Sequence, residues 1–163
     1  MNNSTIPVIT IDGPSGAGKG TVAQMLALDL NWNILDSGAL YRTLAFFMNE
    51  NDISLEQFDE KANEIKKMFK VSFDPGIPGE PVKVIFNKED ITSKIRTEEI
   101  AKITSTLATE PKIREFIKPC QREFMISPGL IADGRDMGTV IFADAKYKIC
   151  LLYTSDAADE CDS

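Results

Sequence analysis

The feature that most constrains the fold of this chain is a glycine-rich loop between a short apolar run and a helical segment. In order, its residues are Gly13, Pro14, Ser15, Gly16, Ala17, Gly18, Lys19, Gly20 and Thr21. Glycines let successive backbone N–H groups point into one concavity, and the dipole of the following helix favours an anion there. The lysine adds positive charge beside a transferred phosphate. The loop therefore predicts a binding site for the phosphates of a nucleoside triphosphate.

The segments on either side of the loop support this prediction. Pro7–Ile11 is a β-branched run that predicts a buried strand, and Lys19–Leu30 has apolar residues at helical spacing. An ordinary glycine-rich turn between a strand and a helix is the alternative interpretation, and the lysine counts against it. Gly20 stands where the general pattern has Ser or Thr, and the hydroxyl follows at Thr21. In this departure the loop resembles that of nucleoside monophosphate kinases.

Composition and charge narrow the classes of function. The 163 residues fit one domain, and the net charge of −7 argues against a nucleic-acid-binding surface, which needs an excess of Lys and Arg. No apolar run approaches the roughly 18 residues of a membrane span, and the N-terminus lacks the pattern of a signal peptide. The cysteines have no CxxC spacing, which predicts free thiols. We expect a cytoplasmic monomer that binds neither nucleic acid nor membrane.

Predicted strands alternate with predicted helices along most of the chain. The strands are Pro7–Ile11, Asn33–Leu35, Leu130–Ala132 and Lys146–Tyr153. This alternation predicts an α/β fold with a parallel sheet flanked by helices and joined by right-handed crossovers. A small β-rich insertion is expected at about positions 71–95. In a parallel sheet the ligand binds at the carboxyl ends of the strands, and the polar motifs directly follow predicted strands.

The chain contains no histidine, which removes the usual general base of an active site. Transfer of phosphate to a second phosphate does not need one, because the acceptor has its second pKa near roughly 6 and is a nucleophile at neutral pH. The difficulty of bringing two polyanions together calls for Lys, Arg and Mg²⁺ instead. The composition is therefore compatible with phosphoryl transfer.

Four segments combine the glycine-rich loop with further polar motifs. They read PVITIDGPSGAGKGT from Pro7, LDSGALYR from Leu35, IRTEEI from Ile95 and LIADGRDMGTVIF from Leu130. Their order and intervals resemble those of the bacterial type of cytidylate kinase, from about Pro7 to Ile149. The resemblance implies a P-loop nucleoside-kinase-like sheet, an acceptor-binding insertion and a mobile lid. It also implies transfer of the γ-phosphate of ATP to CMP or dCMP with Mg²⁺.

The resemblance further implies roles for individual residues. The glycine-rich loop matches the ATP-binding positions, and the catalytic positions are matched by Lys19, Arg42 and Arg135. Substrate-binding positions are matched by Asp36, Ser37, Arg42, Ser105, Arg114, Asp133, Arg135 and Asp136. Of these, Ser105, Arg114 and Asp136 match the residues that contact cytosine, whose amino group suits a carboxylate acceptor. No protein ligand of Mg²⁺ is assigned: ATP would hold the ion, with contacts through water from Thr21, Asp36 or Asp133.

Each of these motifs also has a simpler structural interpretation. Asp36-Ser37-Gly38 reads as a strand end followed by a helix cap, with Ser37 as the capping residue. Asp133-Gly134 reads as a turn, Arg114 as part of a solvated helix face, and Ser105 as a polar helix position. Their joint arrangement favours the functional interpretation. A P-loop kinase for another small acceptor and a catalytically silent nucleotide-binding protein remain the alternative functions.

The resemblance weakens near the C-terminus. No arginine follows Arg135, and the residues after Ile149 differ from the family pattern. We therefore expect a kinase core at positions 1–149 and a divergent, disordered tail at positions 150–163. On this expectation the last strand, the lid and the final helix have no counterpart in the chain. Phosphoryl transfer would then be impaired, because lid arginines compensate phosphate charge and exclude water.

Overall fold

A computed structural model describes residues 5–14 and 16–152 of the chain. The strands are β1 (Val8–Asp12), β2 (Asn33–Asp36), β3 (Val71–Asp74), β4 (Lys83–Phe86), β5 (Glu89–Asp90), β6 (Leu130–Gly134) and β7 (Tyr147–Cys150). The α-helices are α1 (Lys19–Leu30), α2 (Ser37–Glu50), α3 (Phe58–Met68), α4 (Glu98–Ala108) and α5 (Pro111–Arg122). A 3₁₀ turn at Lys94–Arg96 and a π-helical turn at Met137–Ile141 complete the described elements.

The central sheet is parallel, with strand order β2-β6-β1-β7. Every residue of β6 is buried, as expected for an inner strand that is covered on both faces. The pairing register places Asp133 beside Asp36 and Gly134 beside Asp12. The carboxyl ends of β1, β2 and β6 therefore meet at one edge of the sheet, and the loops that follow them lie together. The predicted α/β fold with a parallel sheet is confirmed.

The chain between α3 and α4 forms a second, antiparallel sheet of strand order β3-β4-β5. Asn87 and Lys88 turn the chain from β4 to β5 with φ angles of 49° and 71°. Val84 and Phe86 point into the protein interior, while alternate residues of β4 are less buried. This sheet lies within the range predicted for the β-rich insertion.

Apolar side chains cover both faces of the central sheet. One face packs against α2, α4 and α5, and the other packs against α1. Neighbouring residues of β2 show the division: Leu35 belongs to the first cluster and Ile34 to the second, because successive side chains of a strand point to opposite faces. The same alternation separates Leu130 from Ile131 in β6. The two clusters hold the carboxyl edge of the sheet in place.

Gln24 attaches the insertion to the helix that follows the glycine-rich loop. Its side chain is buried in α1, and its Nε2 donates to the carbonyls of Pro75 at 2.9 Å and Glu80 at 2.7 Å. Its Oε1 accepts from the N–H of Gly79 at 3.3 Å. Each such hydrogen bond contributes about 0.5–1.5 kcal/mol net. The loop between β3 and β4 is thereby fixed against α1.

The cap of α2 differs from the sequence-based prediction. Asp36, not Ser37, is the capping residue, since its Oδ1 accepts from the N–H of Ala39 at 3.0 Å. The predicted cap at Ser37 is wrong because Ser37 is already the first helical residue, and its buried hydroxyl accepts a hydrogen bond from Gln121 instead. Asp36, one position earlier, stands at the N-cap, from which its carboxylate accepts from the backbone N–H three residues later.

Two further expectations concern the cysteines, which were expected to be free thiols, and the end of the core, which was expected at position 149. Cys120 is a free, buried thiol, and burial raises its pKa to about 11. Cys150 is disulfide-bonded, so the expectation of free thiols is wrong for this residue. Cys150 also ends strand β7, one position beyond the expected limit of the core. Most of the expected tail, positions 153–163, lies outside the described residues.

Replacement of Gly129 by alanine should destabilise the fold. An added Cβ would lie 2.5 to 2.7 Å from three ring atoms of Trp32, and that rigid ring has no flexible end to give way. We expect the free energy of unfolding to fall by about 1–3 kcal/mol, as in other overpacked sites. Urea denaturation followed by far-ultraviolet circular dichroism measures the change.

The matched control for this substitution is Gly38→Ala on α2. There an added Cβ meets only Asp36 Oδ1, at 3.5 Å, which is ordinary contact. Because alanine favours a helical position over glycine, Gly38→Ala should leave stability unchanged or raise it by about 0.5–1 kcal/mol. Equal denaturation midpoints for the two variants would contradict the prediction.

Candidate active site

The glycine-rich loop connects the end of β1 to the start of α1. Gly16 and Gly18 adopt φ angles of 82° and 83°, which other residues rarely adopt. At Gly13 an added Cβ would lie 2.6 Å from the carbonyl oxygen of Leu151, so this position requires glycine for packing. Ser15 lies outside the described residues. Since Gly18 caps α1 without a side-chain hydrogen bond, the first N–H groups of the helix are available to an anion.

Lys19 forms an ion pair with Asp133 across the start of α1. Its Nζ lies 3.3 Å from Asp133 Oδ1, and the two side chains are 18% and 5% exposed. Oδ1 has no hydrogen-bond partner among the described residues, so the contact is an ion pair without hydrogen-bond geometry. Burial, with a smaller contribution from the charge of Asp36, raises the pKa of Asp133 from 3.8 to about 6, against the opposing effect of Lys19.

Three carboxylates lie at neighbouring strand ends, and the charges of two of them act on the pKa of the third, Asp133. Asp133 is contributed by β6, Asp36 by β2 and Asp12 by β1. Asp36 is held by its cap to α2, while Asp12 accepts from the N–H groups of Met137 and Gly138, each at 2.8 Å. Gly20 borders the same cluster, since a Cβ at this position would lie 3.8 Å from Asp133 Oδ2. The arrangement places negative side chains beside the phosphate-binding loop.

Two of the predicted residues, Arg114 and Asp136, line a small cavity. The cavity has a volume of about 200 Å³, and Tyr41, Arg114 and Asp136 are among its lining residues. Burial, together with the nearby charge of Asp136, raises the pKa of Tyr41, and Arg114 opposes that shift. A carboxylate, a guanidinium and a phenol thus converge from three elements. This set can accept from and donate to a planar polar ring.

The remaining predicted residues lie at different distances from these two groups. Arg42 on α2 donates through Nη1 to the carbonyl of Ile95 at 3.1 Å, and Arg135 is exposed directly after β6. Ser37 is buried against Gln121. Ser105 is exposed on α4, its hydroxyl donates to the carbonyl of Ala101, and it does not line the cavity. Thr21 is exposed in the first turn of α1.

A larger cavity of about 660 Å³ lies elsewhere, between β2, the insertion and α5. Its lining includes Phe69, Phe73 and Phe124, and none of the predicted site residues is among them. We place the site at the smaller cavity because the charged groups converge there.

Several residues of this region escaped prediction from the sequence. Tyr41 was available as the neighbour of Arg42 within the same motif, but an aromatic residue on a helix is more often part of the core. Asp12 carried a signal in its position, since it ends a predicted strand directly before the loop. Gln121 carried none, because its contact with Ser37 joins positions 84 apart in the sequence.

No group of three or more His, Cys, Asp or Glu side chains within 5–14 and 16–152 is arranged to hold a metal ion. In the same part of the chain, no helix combines the length and apolar character that a membrane crossing requires.

The parallel sheet, the glycine-rich loop and the paired lysine define a P-loop fold of the nucleoside monophosphate kinase type. The family model described as cytidylate kinase matches residues 9–158. A cytidylate kinase of Shewanella sp. (strain MR-4) is 48% identical over 154 residues, which cover 94% of this chain and 65% of that protein. One of Shewanella frigidimarina (strain NCIMB 400) is 47% identical over 150 residues, covering 92% and 65%. The chain therefore belongs to the cytidylate kinase family.

The predicted family resemblance is confirmed by these matches. The chain spans 65% of the length of these curated relatives.

Proposed function

We propose that the chain transfers the γ-phosphate of ATP to CMP or dCMP, giving ADP and CDP or dCDP. The observation that carries the proposal is the placement of two carboxylates at the carboxyl end of one strand and in the turn that follows it. Strand β6 delivers Asp133 to the lysine of the phosphate-binding loop, and three residues later Asp136 lines the small polar cavity. We infer from this short separation along the chain that a donor phosphate site and a ring-sized polar site lie within reach of each other, as transfer between two nucleotides requires.

Each charged group has a task in this reaction. The loop and Lys19 bind the phosphates of ATP, and Arg42 and Arg135 neutralise charge on the acceptor and transferred phosphates. Ser37 and Asp36 stand at the carboxyl end of β2 on the acceptor side. The acceptor phosphate attacks without a protein base, since it is ionised at neutral pH. The reaction is then limited by positioning and by charge compensation.

The small cavity is assigned to the cytosine ring. The carboxylate of Asp136 accepts from the exocyclic amino group, and Arg114 donates to the acceptors of the base. Ser105 is kept as a third base contact from the family resemblance, although its exposed position on α4 leaves it outside the cavity lining. Uracil has a carbonyl where cytosine has the amino group, so the carboxylate disfavours it.

Mg²⁺ bound to ATP fits the chemistry of this site. Asp133 carries a buried oxygen without a hydrogen-bond partner among the described residues, and hard oxygen ligands and water suit Mg²⁺. Asp36 and Thr21 would join it in contacts through water. The ion supplies charge neutralisation on the phosphates when bound. We further propose that the protein acts as a cytoplasmic monomer on small-molecule substrates, with no nucleic-acid partner.

The test is a set of binding and transfer measurements on the purified chain. Calorimetric titration with ATP and Mg²⁺, CMP, dCMP, UMP, AMP and GMP comes first, followed by a coupled transfer assay with the same acceptors. We expect ATP to bind, and we expect monophosphate binding and phosphoryl transfer to be confined to the cytidine nucleotides. Preference for another monophosphate would favour a kinase of different specificity, and ATP binding without any monophosphate binding would favour a silent nucleotide-binding protein.

Asp136→Asn provides the matched variant for specificity. Its amide nitrogen can donate to the uracil carbonyl, so we expect the ratio of CMP to UMP affinity to fall by about tenfold or more. ATP affinity should stay unchanged, because Asp136 lies in the base cavity and not in the loop. An unchanged CMP-to-UMP ratio would remove Asp136 from the proposed base site.

A further inference from the structure

Asp12 occupies a place that none of the predicted roles covers. It is the last residue of β1, directly before the glycine-rich loop. Both of its carboxylate oxygens are used: Oδ1 accepts from the N–H of Met137 and Oδ2 from the N–H of Gly138, each at 2.8 Å. Hydrogen bonds to an ionised acceptor are roughly twice as strong as neutral ones. A single side chain thus holds the start of the π-helical turn.

The segment between β6 and that turn carries Arg135 and Asp136. Its first end is tied to residue 12 as well, because Gly134 lies opposite Asp12 in the parallel pairing of β1 and β6. Its second end, Met137 and Gly138, is tied to the Asp12 carboxylate. One residue therefore fixes both ends of a segment whose members are assigned to the acceptor phosphate and the base.

The two hydrogen bonds from Met137 and Gly138 to Asp12 act as a clamp on the turn, and the packing around this clamp is close. A Cβ at Gly138 would lie 2.7 Å from Thr10 Oγ1 and 3.3 Å from Asp12 Oδ2, so glycine allows the turn to approach β1 closely. The carbonyl of Asp136 then accepts from the N–H groups of Val140 and Ile141 at 3.0 and 3.1 Å. Asp136 is held by its backbone on one side of the clamp, while its side chain lines the cavity with Arg114.

We propose that Asp12 is a positioning residue, which orients Asp136 and Arg135 toward the acceptor nucleotide by clamping the backbone of Met137 and Gly138. This inference rests on the proposed function, since it assigns the acceptor to the cavity beside that segment. Asp12 also lies next to the loop assigned to ATP. The clamp therefore connects the backbone of the proposed acceptor site to strand β1, which leads into the loop assigned to ATP.

The experiment compares Asp12→Asn with the unmodified chain by calorimetric titration of CMP, UMP and ATP with Mg²⁺. The amide group of asparagine turns a donor toward one of the two N–H groups, so half of the clamp is lost. We expect CMP affinity to fall by about tenfold or more, and the preference for CMP over UMP to shrink. ATP affinity should stay equal or improve, because a negative charge beside the phosphates is removed. Asp29→Asn, at an exposed position of α1, is the control and should change nothing.

A double-mutant cycle separates positioning from a general loss of structure. If Asp12 acts through Asp136, Asp12→Asn should cost much less CMP affinity in an Asp136→Asn background than alone. Equal losses in both backgrounds, or equal losses of CMP and ATP affinity, would overturn the inference. Should Asp12→Asn not fold, Asp12→Glu, which keeps the charge and shifts both oxygens by one methylene, undergoes the same comparison. If the unmodified chain binds no monophosphate, the proposed function fails first, and this outcome is distinct from unchanged CMP affinity in the variant.

Discussion

Replacement of Lys19 by alanine should lower the rate of phosphoryl transfer to CMP by about 10³-fold. The loop backbone would still present its N–H groups, so ATP binding should weaken by a smaller factor than the rate. The reason is that the ammonium group compensates charge that develops on the transferred phosphoryl group, which backbone dipoles alone compensate poorly. A coupled assay at saturating ATP and CMP measures the rate, and titration of ATP measures binding.

The control for this variant is Lys67→Ala, because Lys67 is exposed on α3. It removes the same charge and the same number of side-chain atoms, and it should leave both the rate and ATP affinity unchanged. A Lys19→Ala variant that retains more than a tenth of the rate would contradict the assignment of Lys19 to the transferred phosphate. Equal effects of the two substitutions would show only an influence of net charge.

Lys19→Ala should also change stability in a way that depends on pH. Without the ammonium group 3.3 Å away, the buried carboxylate of Asp133 loses its ion-pair partner. The pKa of Asp133 should then rise further above about 6, because the positive charge of Lys19 lowers this pKa in the unmodified chain. The variant should lose more stability above this pKa than below it, where Asp133 is protonated in the folded state.

Local sequence patterns predicted the frame of this site well. The apolar runs before Asp12, Asp36 and Asp133 fixed where three strands end, and parallel pairing alone brings such ends to one edge. The same reasoning placed α1 at Lys19–Leu30, since helical spacing and a preceding glycine are both local signals. These predictions succeed because they depend on neighbours within a few residues.

Contacts between distant segments could not be predicted in the same way. The partner of the Ser37 hydroxyl is one example: Gln121 of α5 donates to it, while Asp36 caps α2. The convergence of Tyr41, Arg114 and Asp136 on one cavity likewise depends on how α2, α5 and the π-helical turn pack. A motif names the polar residues of a site, but tertiary packing decides which of them face the ligand.

The three carboxylates at the strand ends oppose one another, and the fold tolerates this through distinct partners. Asp12 accepts from two backbone N–H groups, and Asp36 accepts from the N–H of Ala39 at the start of α2. Among residues 5–14 and 16–152, the ion-pair partner of Asp133 is Lys19, and ATP phosphates would compete for that lysine. Burial raises the pKa of Asp133, because the charged form of a buried carboxylate is disfavoured.

Replacement of Asp133 by asparagine should consequently stabilise the folded chain at neutral pH. Burial raises the pKa of Asp133 in the folded state to about 6 from an ordinary value of 3.8. Above the folded pKa the carboxylate is charged in both states, and the folded state then carries a destabilisation of about 2–3 kcal/mol. As the pH falls through about 6 toward the unfolded pKa, the folded state takes up a proton first, and this destabilisation is relieved. Asparagine resembles the protonated form and should remove the contribution throughout.

Urea denaturation of both proteins between about pH 5 and pH 8 measures the difference, because subtraction cancels the titration of the other carboxylates. We expect Asp133→Asn to exceed the unmodified chain in stability by about 2–3 kcal/mol near pH 8, and the gap to narrow toward pH 5. Asp29→Asn on the exposed face of α1 should instead give a curve parallel to that of the unmodified chain. A loss of stability near pH 8 would mean that the ion pair with Lys19 outweighs the cost of burying the carboxylate. A gap that stays constant from pH 5 to pH 8 would mean that the folded-state pKa of Asp133 is not raised into this range. The stabilised variant should transfer phosphate more slowly, since the group that destabilises the fold is the one placed beside the reacting phosphates.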